Sequence, residues 1–287
     1  GDAVAPDGTA PLDASTAEGG EAGPAAPTTV ALRLANWSPG APGVDFCIAP
    51  HGTSAFQGPL VAALATSLED GGADAGASAI PFPQASAYVL VAPGTYDTRL
   101  VAGGATDCTT GLVADAPAPP LVAGQALTVA VIGNTHPNTL ALVTYPDDTS
   151  PAGTIGVRAI HAAPSLAIID VGTVPPAGGA LVAPFFTSMS YKNSSASAAN
   201  ARAAMFDPNG YAPAMPFTMM NVVSRPSGAP NNQALAQSVS VGGGAVVTFV
   251  VVDAPSPPPG GRPAQLVECV DNAGSLGLTG SCSVISM

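Results

Sequence analysis

Two stretches decide the fold: VALRLANWSPGAPGVDF at 30–46 and IGVRAIHAAPSLAIIDV at 155–171. Set at a constant offset of 125, Arg33 falls on Arg158, Pro39 on Pro164 and Asp45 on Asp170. Three further blocks repeat in the same order. YVLVAPGT (88–95) matches YAPAMPFT (211–218), TVAVI (128–132) matches TFVVV (248–252), and LVTYPD (142–147) matches LVECVD (266–271). Ordered blocks with a nearly constant offset mark two copies of one structural unit. The expected division is a tail at 1–28, one unit at 29–149 and a second at 150–287, with the boundary near Thr149–Ala152.

Each block reads as a strand. Leu32, Leu34, Val44 and Phe46 alternate with small or polar residues, as a half-buried strand requires. The intervening SPGAPG (38–43) supplies the Gly and Pro of a tight reversal. About seven such strands per half predict an all-β chain of two tandem Greek-key sandwiches behind a low-complexity tail. Helical periodicity is confined to 58–70 and 194–204, where an Ala-rich loop is an equal reading.

Composition narrows the function classes. The chain has 287 residues, a net charge of −12 and a single lysine, Lys192, so it cannot neutralise a phosphate backbone and no nucleic-acid partner is expected. Mean hydropathy is +0.36, yet the longest apolar run, 245–252, is far short of a spanning helix, so no transmembrane segment is expected. The tail carries Asp2, Asp7, Asp13, Glu18 and Glu21 with no basic residue, a composition that does not fold alone. Its abrupt start at Gly1 reads as a mature exported chain whose signal has been removed.

The four cysteines, Cys47, Cys108, Cys269 and Cys282, lack zinc-ligand spacing and allow three disulfide connectivities. The repeat favours Cys47–Cys108 with Cys269–Cys282, since each bond then stays within one half. Such bonds stabilise by about 3–4 kcal/mol each on a chain-entropy model and place the chain in an oxidising compartment.

A hairpin centred on Pro39 would set Arg33 directly opposite Asp45, and one centred on Pro164 would set Arg158 opposite Asp170. These are expected to be structural cross-strand ion pairs on a mostly polar sheet face, with a recognition surface as the sharper alternative.

The pattern R-x-x-[N/H]-x-[S/A]-P followed by [V/I]-D is carried by Arg33, Asn36, Ser38, Pro39, Val44 and Asp45 and again by Arg158, His161, Ala163, Pro164, Ile169 and Asp170. With the later Tyr88, Pro93, Thr95 and Tyr211, Pro216, Thr218, it resembles a secreted bacterial domain-of-unknown-function family built as tandem Ig-like repeats. The resemblance implies export and an Ig-like sandwich rather than a reaction. That pattern usually has His where this chain has Asn36.

No catalytic constellation stands out, and neither an enzyme nor a cofactor is expected. His51 with Asp45 and Ser54 lacks a nucleophile elbow, and His161 suits a turn. Asp147–Asp148 and Asp70 with Asp74 miss calcium-loop spacing and read as solvated acids, so no metal is expected. Trp37, Tyr88, Tyr96 and Tyr191 are a conceivable sugar platform, and Asn36 and Asn193 begin glycosylation sequons. The resulting expectation is a non-enzymatic exported structural protein that associates with itself in a filament or surface layer. The alternative is a monomeric surface-anchored adhesin or glycan binder with the tail as spacer.

Overall fold

A computed structural model describes residues 28–62, 79–117, 119–135, 139–148, 155–174, 182–197, 207–214, 217–227, 235–255, 264–271 and 282–285. Residues 1–27 of the tail, Asp70, Asp74 and the boundary at 149–152 lie outside them. The chain is an all-β sandwich structure. In the first half run β1 (Val30–Asn36), β2 (Val44–Pro50), β3 (Val89–Val91), β4 (Tyr96–Ala102), β5 (Ala116–Pro117), β6 (Ala126–Ile132) and β7 (Ala141–Asp147). In the second run β8 (Ile155–His161), β9 (Ile169–Val174), β10 (Val182–Met189), β11 (Ala212–Ala214), β12 (Phe217–Pro226), β13 (Leu235–Val241), β14 (Val246–Asp253), β15 (Ala264–Val270) and β16 (Cys282–Ile285). Of the two stretches open between helix and loop, 195–197 is a short 3-10 turn. Residues 60–62 form a helical turn, and the rest of both stretches lies outside the described residues.

Four sheets form: β3-β1-β6-β7 and β2-β4-β5 from the first half, β11-β8-β14-β15-β16 and β10-β9-β12-β13 from the second. Among the described residues every strand pairing stays within one half. The repeat extends to the ladders, because β1 runs parallel to β6 as β8 runs parallel to β14.

Three apolar cores separate the four layers. Leu32, Leu34, Val129 and Val131 meet Val44, Phe46 and Leu100 inside the first half. Val157, Phe249, Val251 and Leu266 meet Val171, Phe186 and Val222 inside the second. The third core lies between the halves, where Ala35, Trp37, Ala130, Ile132 and Tyr145 pack against Ile160, Val250, Val252, Val267 and Cys269. Strands β1, β6, β8 and β14 are therefore covered on both faces. This accounts for a near-continuous run such as VVTFVVVD in β14, the composition expected of a sheet with no solvent face.

Both disulfides join the expected partners. Cys47–Cys108 fastens the loop after β4 to β2, and Cys269–Cys282 joins facing residues of β15 and β16. Arg99 adds a second tie to the Cys108 loop, donating to the Cys108 carbonyl and, twice, to Asp115.

Interfaces between halves of a chain permit relative motion unless they are large and apolar. Here the contact is a buried core like those within each half. Calorimetry and circular dichroism are expected to show a single cooperative unfolding transition for the whole chain. Two resolved transitions would mean that the halves fold independently.

Candidate functional site: a buried joint between the halves

The hairpins expected around Pro39 and Pro164 do not form. β1 has β3 on one side and β6 on the other, and β2 pairs with β4 in the facing sheet. The SPGAPG segment thus carries the chain across the sandwich instead of folding it back along one sheet. Arg33 and Asp45 lie in different sheets, as do Arg158 and Asp170, so the expected cross-strand ion pairs are absent. The Asp45 carboxylate accepts the backbone N–H groups of Phe46, Val61 and Ala62, which anchors the chain after the cis Gly58–Pro59 bond. Burial pushes its pKa up, against the pull of those N–H groups. Asp170 accepts the Ser188 N–H and faces Arg225 across β9 and β12.

Both arginines instead cross the boundary between the halves. Arg33 Nη2 donates to Asp271 Oδ1 at 2.7 Å, and Arg158 Nη2 donates to Asp147 Oδ1 at 2.6 Å. All four side chains are fully buried. Further bonds within each half orient these groups. Arg33 Nε donates to Thr128, and the Thr128 and Tyr88 hydroxyls donate to Asp147 Oδ2. Arg158 Nε donates to Thr248, and the Thr248 and Tyr211 hydroxyls donate to Asp271 Oδ2. Each guanidinium also lies over its own half's tyrosine, Arg33 5.2 Å from the Tyr88 ring centre and Arg158 4.5 Å from that of Tyr211.

Each half thus contributes one Arg, one Tyr, one Thr and one Asp, and each arginine takes its carboxylate from the other half. Strand periodicity places them there. On β1, Leu32 and Leu34 face the first sandwich core, which turns Arg33 to the opposite side. Thr128 lies opposite Arg33 in the β1–β6 register, and Tyr145 lies opposite Thr128 on β7.

A buried ion pair stabilises only when its desolvation is offset by further bonds. Both oxygens of each carboxylate are occupied here, and the two positive charges balance the two negative ones. Burial alone would lower the pKa of Arg33, but Asp271 and Asp147 raise it. Burial would raise that of Asp147, and Arg33 with Arg158 hold it below the ordinary carboxylate value. Burial and the adjacent carboxylates raise Tyr88 and Tyr211, so both stay protonated donors. One asymmetry remains, in that Arg158 Nη1 donates to the Pro146 carbonyl whereas Arg33 Nη1 is buried with no partner among the described residues.

The expected sugar platform is not assembled, because Trp37 is fully buried in the core between the halves and Tyr88 belongs to the joint. The Asn36 sequon is also buried. His51 bonds Asp97, not Asp45, at an exposed site. A polar cleft of ≈ 280 Å³ beside the joint is lined by Gly124, Gln125, Asp147, Asp148 and Asn209. Among the described residues no group of three or more His, Cys, Asp or Glu side chains could hold a metal ion. No helix of the described residues is long and apolar enough to cross a membrane.

His161 and Asn36, equivalent at offset 125, perform one task with different chemistry. Asn36 accepts the Ser38 N–H and donates to the Pro42 carbonyl. His161 accepts the Ala163 N–H at Nδ1 and bonds the Ala167 carbonyl through Nε2. The histidine is therefore a neutral turn clamp with its proton on Nε2.

Residues 63–172 match the model of a protein family described as a domain of unknown function, DUF4397. The matched stretch begins within the first half and ends in β9 of the second. No curated protein matches the chain.

Asp271→Asn should cost about 3–5 kcal/mol of unfolding free energy, because it strands a buried arginine. A double-mutant cycle should show strong coupling between Arg33 and Asp271 and less than about 0.5 kcal/mol between Arg33 and Asp45. Burial holds His161 below the usual histidine value of 6.5. Its contribution to stability is therefore complete above that pH and is lost as pH falls toward the lower folded value. The wild-type melting temperature should drop as pH falls below 6.5, and His161→Asn, which copies the first half, should flatten that drop. An unchanged pH profile in the variant would exclude the clamp as its source.

Proposed function

We propose that the chain is a non-enzymatic exported structural protein that associates with itself as a subunit of an extracellular filament or surface layer. The observation that carries this reading is where the repeated polar residues go. Four matched positions, occupied by Arg, Tyr, Thr and Asp in both halves, converge on a dry joint that welds the halves together. A catalytic or ligand site needs such groups open to a substrate, and here they are spent on rigidity. Two disulfides add to the same end and suit an oxidising, extracellular compartment. The resemblance to secreted tandem Ig-like proteins points the same way, and the family matched at 63–172 carries no assigned activity.

Negative-stain microscopy of the full chain beside a chain beginning at Thr29 tests this. Filaments or sheets formed by the full chain are the expected result, and their loss in the shorter chain would place the linkage in the tail. Dispersed single particles at every concentration would overturn the structural reading.

A further inference from the structure

The turn at 207–210 brings reactive groups together outside the joint. Asp207 precedes Pro208 in the chain's single Asp–Pro dipeptide, and Pro208 is exposed. Asp207 Oδ1 accepts the N–H groups of Asn209 and Tyr211 at 2.9 and 2.8 Å. An aspartate oxygen that accepts the N–H two residues on lies over its own peptide bond. The carboxyl is thereby held beside the Asp207 carbonyl carbon. That carbonyl accepts the Gly210 N–H at 3.0 Å, a fixed donor at the oxygen where negative charge would develop. Gly210 has a φ of +87° and leaves no room for a side chain against Ala196, which keeps the donor in place.

Asp207 also shares a hydrogen bond with the carboxyl of Asp148, at the end of the first half. Two carboxyls in contact hold a proton between them, because both resist ionising so close together. Burial pushes Asp207 above the ordinary carboxylate value against the pull of the Tyr211 N–H, and Asp148 adds to the rise. The nearby charges of Asp147, Asp271, Arg33 and Arg158 are committed to the joint. We propose that the folded chain cleaves itself between Asp207 and Pro208 in mild acid. With the proton on Asp148, an oxygen of ionised Asp207 attacks the Asp207 carbonyl carbon and closes a cyclic anhydride. The bond to the Pro208 nitrogen breaks, and the proton from Asp148 passes to that nitrogen as it leaves. The adjoining polar cleft, lined by Asp148 and Asn209, admits the water that opens the anhydride to a carboxyl-terminal Asp207. One water is consumed, and nothing is oxidised or reduced.

The cut falls between the 3-10 turn and β11. Cys47–Cys108 lies before it and Cys269–Cys282 after it, so no disulfide joins the products. In the folded chain they stay paired through β8–β11, β9–β12 and β8–β14. The reaction occurs once in each chain and is independent of the self-association reading.

Mass spectrometry of the full-length chain, incubated folded and in denaturant at neutral and mildly acidic pH, tests the assignment. Fragments 1–207 and 208–287 should form from the folded chain in acid, roughly tenfold or more faster than from the denatured chain. Asp207→Asn should abolish them. Asp148→Asn, which removes the proton's holder, should slow them about a hundredfold and flatten the dependence on pH. If either variant fails to fold, the comparison of folded with denatured wild type decides. A folded wild type that stays intact in acid, or is cut no faster than the denatured chain, would overturn the proposal. Cleavage of folded Asp148→Asn at the wild-type rate and pH profile would overturn the proton transfer from Asp148.

Discussion

Two charge pairs exchanged between the halves, Arg33 with Asp271 and Arg158 with Asp147, hold the structure in register. A single buried pair would be a questionable investment, since desolvation commonly cancels the Coulombic gain. The arrangement here escapes that balance by reciprocity. Each arginine is oriented by its own half, through Nε on a threonine and a tyrosine ring beneath, before it meets the opposing carboxylate. Each carboxylate is likewise held by two hydroxyls of its own half. The groups are pre-organised on both sides, so docking loses little further side-chain entropy, and a low dielectric strengthens bonds that are fully satisfied.

The surrounding apolar layer and the joint depend on each other. Ala35, Ala130 and Ile160 are small or flat enough for the two inner sheets to approach, and Trp37 and Tyr145 fill the volume further along. The polar cluster fixes which part of one sheet lies over which part of the other, a specificity that apolar packing supplies poorly by itself. The same geometry explains the parallel β1–β6 and β8–β14 ladders in an otherwise mostly antiparallel protein. Strands covered on both faces need no polar side, and burying the repeated Arg, Thr and Asp together removes the cost of placing them there.

Much of this was legible in the residues. The all-β character, the strand positions and the two disulfides could be read from alternation, turn composition and the repeat. The repeat blocks even contained every member of the joint: Arg33 and Arg158, Tyr88 and Tyr211, Thr128 and Thr248, Asp147 and Asp271. The pairing is not legible there, because a hairpin is the shortest way to join β1 to β2 and Asp45 and Asp170 stand at the right spacing for one. A segment rich in Pro and Gly turns a chain across a sandwich as readily as along a sheet, and nothing in SPGAPG distinguishes the two. The overlooked signal was the apolar composition on both sides of β6 and β14. A strand apolar on both faces has no solvent side, so an arginine on its neighbour must find its partner within the protein. No local spacing can reveal that the partner lies 238 residues away.

The distribution of charge completes the physical picture. Of the seven basic residues, Arg33, Arg158 and Arg225 are buried, and Arg99 is engaged by Asp115. The chain thus withdraws much of its positive charge inward and leaves an acidic exterior. Such a surface disfavours indiscriminate contact between copies of the chain.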